Sequence, residues 1–175
     1  MTTVTASPGF TLRASARWLG NVFLGVAVGL LGYYWLTDVV NVAEQNELRA
    51  EVPPISYEHS LAAEEAPEDE FANWEEEDKD YWDRLPVGRA FGRIVSEDME
   101  LDSVIVKGTK ADELRKGPGW IRWSDLPGPT GNFGVAGHRT TYSAPFRDID
   151  QLEPGDTIHF YSPFRRYTYE VKRVF

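Results

Sequence analysis

The chain contains no cysteine in 175 residues. That excludes disulfide bonds and thiolate metal sites, and it removes the most readily activated nucleophile from the side chains on offer. It says little about compartment. Basic residues form no run or stripe, which argues against nucleic acid as a partner. No internal repeat is visible. Histidine is scarce: His59, His138 and His159 are the full set. Zinc needs three or four converging ligands, and the carboxylates downstream of His138, Asp148 and Asp150, are expected on a helix that turns them to solvent. No metal site and no cofactor is therefore read in the chain.

The formal net charge of −10 is unevenly spread. Met1–Thr37 carries Arg13 and Arg17 and no acid, a balance of +2. Asp38–Asp83 holds 16 acids against Arg49 and Lys79, a balance of −14. Arg84–Phe175 holds 12 acids and 14 bases, again +2. The acidic pI thus describes a connecting segment rather than a folded domain.

Trp18–Thr37 is a run of 20 uncharged residues, about 30 Å long as a helix and so matched to a bilayer core. Trp18 stands at one end and Tyr33, Tyr34 and Trp35 at the other, as interfacial aromatics do. The basic flank before it and the acids after it predict a single membrane-spanning helix over 18–40. Residues 1–17 are then cytoplasmic and the rest of the chain is extracytoplasmic. A cleaved signal peptide is the rival reading, but the apolar run is long for one and no Ala-x-Ala site follows.

Residues 41–84 read as an acidic extracytoplasmic linker. Val39–Ala50 can extend the helix until Pro53-Pro54 stops it. Glu58–Asp83 carries 12 acids and one lysine, a density that repels itself and favours an extended spacer. Phe71, Trp74, Tyr81 and Trp82 interrupt those acids. Phe71, Trp74 and Tyr81 fall near one helical face, which leaves docking onto the domain as the alternative.

The folded part spans 85–175. Ala90–Val95 and Leu101–Val106 read as strands. Thr109 can cap a helix that Gly117-Pro118 ends. Trp120–Pro129 reads as irregular chain with two indoles to bury. Gly131–Gly137 and Thr157–Tyr161 are further strands. In Tyr167–Phe175, Tyr167, Tyr169 and Val171 alternate with Thr168, Glu170 and Lys172. These short strands with brief helical insertions predict a mostly β barrel.

Gly134–Asp156 is the stretch around which the domain is organised. Gly134-Val135-Ala136-Gly137 has no polar side chain and reads as a buried strand. His138 stands at its tip. After the polar turn Arg139–Ser143, a short helix is expected, with Pro145 in its first turn and Phe146, Ile149 and Leu152 on one face. Glu153-Pro154-Gly155-Asp156 closes it.

This run resembles the middle of a sortase catalytic domain, most closely the class E sortases of Gram-positive actinobacteria. The matching residues are Gly137-His138-Arg139-Thr140-Thr141, then Ala144-Pro145-Phe146, then Leu152-x-Pro154-Gly155-Asp156. The resemblance covers about Val87 to Phe175. It implies an eight-stranded β-barrel, of which about six strands lie in this chain. It also implies a membrane-anchored cysteine transpeptidase that cuts secreted proteins at a Leu-x-x-Thr-Gly-like C-terminal sorting signal and joins them to a cell-envelope amine. It carries one catalytic position across, His138, as the acid–base group. The family's Cys and Arg would follow Phe175, so a chain cut short before them and inactive alone is the expectation. The alternative is a non-catalytic, envelope-facing domain that binds peptide or is purely structural. Arg139 reads as a turn-fixing, salt-bridging side chain, and His59 and His159 as bystanders.

Because the native chain has no thiol, single introduced cysteines report topology cleanly. In intact cells an impermeant thiol reagent is expected to label Lys110→Cys and to spare Ser7→Cys. The opposite pattern refutes the orientation.

Overall fold

The computed structural model describes residues 12–52, 71, 73–128 and 130–175. Two compact units are present, one ending at Leu36 and one running from Thr37 to Phe175. Within the acidic linker, residues 53–70, His59 among them, and residue 72 lie outside the described residues.

A single helix, α1 (Leu12–Glu51), contains the apolar run. It is long and apolar enough to cross a membrane. Every described side chain from Trp18 to Leu36 is exposed. From Thr37 on, the helix acquires a buried stripe of Thr37, Asn41, Gln45 and Leu48 at helical spacing.

The second unit is a curled, mixed sheet of six strands in the order β4-β3-β2-β1-β5-β6. The strands are β1 (Ala90–Ser96), β2 (Leu101–Lys107), β3 (Gly119–Trp120), β4 (Val135–Ala136), β5 (Thr157–Tyr161) and β6 (Arg166–Glu170). All pairs are antiparallel except β2–β3. The parallel step is made by α3 (Ala111–Lys116), where the Lys110 N–H donates to Glu113 Oε2 at 2.6 Å. A bulge at Ala90/Gly92 bends β1. Gly92 is needed there, because a Cβ would sit 2.3 Å from the Phe160 ring.

Alternation along the strands gives the sheet two apolar faces. Ala90, Val104 and Val106 face Leu48 of α1. On the other face Phe91, Ile94, Ile105 and Phe160 build the main core with Trp120, Phe146, Leu152 and Tyr167. Strand β3 pairs with β2 only at Val106 and Lys107, which leaves the edge of β2 bare at Val104. Gln45 fills the gap. Its Oε1 accepts the Val104 N–H at 2.8 Å, and its Nε2 donates to the Val104 and Lys116 carbonyls at 3.1 and 2.7 Å. One side-chain amide thus does the work of a strand neighbour and satisfies backbone groups that burial would otherwise leave unpaired.

The expected extended spacer is corrected over its last part. Glu75–Lys79 forms a π-helical turn that runs into α2 (Asp80–Arg84), and both pack on the core. Apolar area decides the outcome over charge repulsion. Trp82 is fully buried and stacks on Phe91 at 4.9 Å, while its Nε1–H donates to the Phe91 carbonyl at 2.8 Å. Trp74 donates to the Pro127 carbonyl at 2.7 Å. The acids find partners: Asp78, also fully buried, pairs with Arg165 Nε, and Glu77 pairs with Arg165 at 2.5 Å. Loss of hydration raises the Asp78 carboxyl above its ordinary range, against the pull of Ser162, Arg165 and Tyr167.

Other expectations shift in detail. Only Val135–Ala136 of the 131–137 stretch is strand, with an isolated bridge between Asp125 and Phe133. The helix after Pro145 shrinks to turns and one 3-10 turn, Ile149–Gln151. Of the two indoles in 120–129, Trp120 is buried and Trp123 is 85% exposed.

Trp82→Ala is expected to destabilise the chain by about 3–5 kcal/mol, the usual cost of deleting a large core aromatic. Chemical denaturation of the full chain checks it. A change within 1 kcal/mol would mean that α2 is a dispensable attachment.

Candidate active site

His138 comes directly off β4, half-buried, where the chain leaves the sheet. Its backbone is held from both sides. The Phe146 N–H donates to the His138 carbonyl at 3.1 Å. Gly137, just before it, lies so close to Phe146 that a Cβ would meet the ring at 2.8 Å. Absence of a side chain at 137 is therefore what lets the Phe146 ring tuck in behind the histidine.

The imidazole has two neighbours from its own loop. Thr141 Oγ1 lies 3.4 Å from Nδ1. The Tyr142 ring sits 5.0 Å away, tilted by 43°. The backbone that carries Tyr142 is unusual. Tyr142, Ser143 and Ala144 take φ of 53°, 58° and 43°, three successive non-glycine residues in the left-handed region. Ala144 is buried, its N–H donates to the Thr141 carbonyl at 2.9 Å, and the Ser143 N–H donates to Asp38 Oδ1 on α1 at 2.8 Å.

Arg139 points away from the imidazole's partners. It donates to the Arg147 carbonyl at 3.0 Å and pairs with Asp150 at 2.6 Å, which ties the two ends of the loop together. His159 is on β5, 3.1 Å from Thr168 Oγ1, with its pKa lowered by burial and by the nearby Arg166 charge. Beside the loop, the concave face of the sheet opens into an apolar cleft of about 230 Å³, lined by Ile94, Phe133, Val135, Phe146, Ile158 and Tyr169 among others. Burial pushes the Tyr169 hydroxyl up to about 12, so it stays protonated there. The stretch that carries His138 thus runs between Val135 and Phe146, two lining residues of a groove able to accept an apolar side chain.

Residues 94–175 match the model of the sortase domain family. A solved structure of the sortase D5 transpeptidase of Clostridium perfringens superposes with a TM-score of 0.51 at 32% identity, covering 61% of this chain and 70% of that one. The chain belongs to the sortase family. Sortase D of Bacillus subtilis (strain 168) is 34% identical over 87 residues, which is 50% of this chain and 42% of that protein. SrtE1 of Streptomyces coelicolor is 46% identical over 44 residues, or 25% of this chain and 12% of that protein. The chain therefore spans less than half the length of these two relatives.

Sequence reasoning singled out His138 as the site residue of this sortase domain and named Arg139 as a brace. It missed Asp38, Thr141 and Tyr142. Asp38 reads in sequence as one more acid flanking the apolar run, and no local pattern links it to a residue so far along the chain. The left-handed turn was equally hidden, because Tyr-Ser-Ala carries no glycine or asparagine to announce it.

Gly137→Ala is expected to cost about 1–3 kcal/mol through overpacking against Phe146. Arg139→Ala, which removes an exposed ion pair, is expected to cost under about 1 kcal/mol. Thermal melts of the two variants check the ranking, and a reversed order would mean the loop is held by charge rather than by packing.

Proposed function

We propose that this chain is a membrane-anchored sortase module of the class E kind. In this reading α1 anchors it with the N-terminus in the cytoplasm and the β-domain outside, and His138 is its acid–base residue. Its substrates are secreted proteins carrying a Leu-x-x-Thr-Gly-like signal, and its acceptor is an envelope amine. Class E rests on the Gly137–Asp156 motif run and on the local identity to SrtE1. The observation that supports the site assignment is the placement of His138, half-buried at the tip of β4 and beside the apolar cleft.

The reaction proceeds as follows. A cysteine thiolate adds to the Thr-Gly carbonyl, and the tetrahedral intermediate collapses to a thioester as the C–N bond breaks. The imidazolium gives its proton to the departing amine. The imidazole then takes a proton from the incoming amine, which attacks the thioester and releases the thiolate. Residues 1–175 supply the histidine and no thiol. Hydroxyls such as Thr140 or Ser143 titrate far too high to serve in its place without a dedicated base. A second reading, peptide binding without cleavage, is favoured by the open apolar cleft.

Residues 1–175 are expected to leave a Leu-x-x-Thr-Gly peptide uncut. Joined to the thiol-bearing C-terminal strands of a sortase relative, they are expected to transpeptidate. In that chimera His138→Ala should lose about 10²–10⁴-fold in rate, and Arg139→Ala much less. Peptide cleavage with and without an amine acceptor is the assay. Full activity of the His138→Ala chimera would remove His138 from the mechanism. Saturable peptide binding by residues 1–175, with no turnover by any chimera, would favour the second reading.

A further inference from the structure

We propose that Asp38 is a positioning residue for His138: it holds the left-handed turn that sets the Tyr142 ring against the imidazole. The proposal rests on the reading of His138 as the acid–base group. Its basis is the backbone. The left-handed region is unfavourable for a residue with a side chain, and here three non-glycine residues stand in it in succession at 142–144. Such a turn persists only where its surroundings over-determine it, and strain of this kind concentrates at functional sites.

Two restraints are local: the Thr141 carbonyl accepts from Ala144, and the Ala144 carbonyl accepts from Arg147, each at 2.9 Å. A third comes from elsewhere. Asp38, 105 residues away in sequence, accepts the Ser143 N–H at 2.8 Å, at the centre of the turn. Asp38 can act as a fixed point because the helix after it is fastened to the sheet. Asn41 Nδ2 donates to the Arg115 carbonyl at 2.9 Å, Gln45 pairs with Val104, and Leu48 is buried. A rigid element therefore holds a strained loop, which is how a reactive side chain keeps its orientation. Glycine at 143 would suit the turn without help, yet the chain has serine there and recruits a carboxylate from outside the loop.

The test reads the His138 ring directly. The full chain, labelled with ¹³C-histidine and held in detergent micelles, gives three histidine signals, of which His138→Gln identifies one. The Tyr142 ring imposes a ring-current shift on His138, and Tyr142→Leu defines its complete loss. Asp38→Ala is expected to move the His138 signal more than half of the way to the Tyr142→Leu position, with the His159 signal unmoved. Asp38→Asn keeps an oxygen acceptor and is expected to leave the signal near its original place. The double variant Asp38→Ala/Ser143→Gly is expected to bring it back, because glycine adopts the left-handed conformation unaided.

A signal that stays put in folded Asp38→Ala overturns the proposal, as does a double variant that behaves like Asp38→Ala. If Asp38→Ala alone does not fold, folding of the double variant with a restored signal supports the proposal, and failure of both overturns it. The measurement needs no turnover. A fully active His138→Ala chimera with the expected shifts would strike only the acid–base reading. An unmoved signal beside an inactive His138→Ala chimera would strike only this inference.

Discussion

The Trp82 indole lies between Phe91 on β1 and the Phe160–Tyr167 pair of the β5–β6 hairpin, with ring centroids at 4.9, 6.0 and 6.2 Å. Phe91 in turn stacks on Trp120 at 5.0 Å. This column of rings is the centre of the domain. It brings a segment that precedes the sheet into contact with β1 and with β5 and β6 at one end of the sheet order. At ~25 cal/mol per Å² of apolar surface, rings of this size supply the largest single contributions to burial. The hydrogen bond from Trp82 to the Phe91 carbonyl satisfies the one polar group the indole carries. Without the column, α2 would keep only the half-buried Tyr81 as an apolar contact, and Phe91 on β1 would lose its stacking partner.

The acidic middle of the chain takes a different meaning once its partners are seen. Glu44 pairs with Lys116, Glu51 with Arg89, Glu77 and Asp78 with Arg165, and Arg49 with Asp102. Most are partly exposed and each contributes little alone. Their effect is complementarity: a segment with surplus negative charge lies along a domain with surplus positive charge. The buried Asp78–Arg165 pair is a separate case. Its desolvation cost is high, and removing Arg165 would strand the Asp78 charge, whereas Arg165 also has Glu77. It fixes where α2 sits on the hairpin more than it strengthens the attachment.

Much of the fold was legible in the sequence. Runs of apolar and β-branched residues located β1, β2 and β5 within one residue, and alternation pointed to β6, which ends at Glu170 rather than Phe175. The parts that escaped were those decided at long range. The two-residue strand β3 is too short to carry a period, and β4 is only the Val135–Ala136 part of the expected 131–137 strand. The helix expected after Pro145 dissolves into turns, since Phe146 and Leu152 can reach the core without helical geometry. The acidic spacer was misjudged because charge density is visible locally and the pocket waiting for Trp82 is not. At the site, His138 was singled out through the residues around it, whereas its neighbours Thr141 and Tyr142 belong to a turn that Asp38 on α1 braces from outside the loop.

That turn also explains why small residues flank the histidine on one side and strained ones on the other. Before His138, glycine at 137 lets the Phe146 ring approach the strand tip. After it, Tyr142 cannot be glycine, because its ring is what meets the imidazole. Ala144 is buried at the base of the loop. Left-handed backbone is thus imposed at positions chosen for their side chains, and the strain has to be offset by contacts from the loop and from α1. A histidine on a freely moving loop would spend much of its time away from a productive geometry. Here the backbone on either side is committed by packing and hydrogen bonds, which fixes where the imidazole stands.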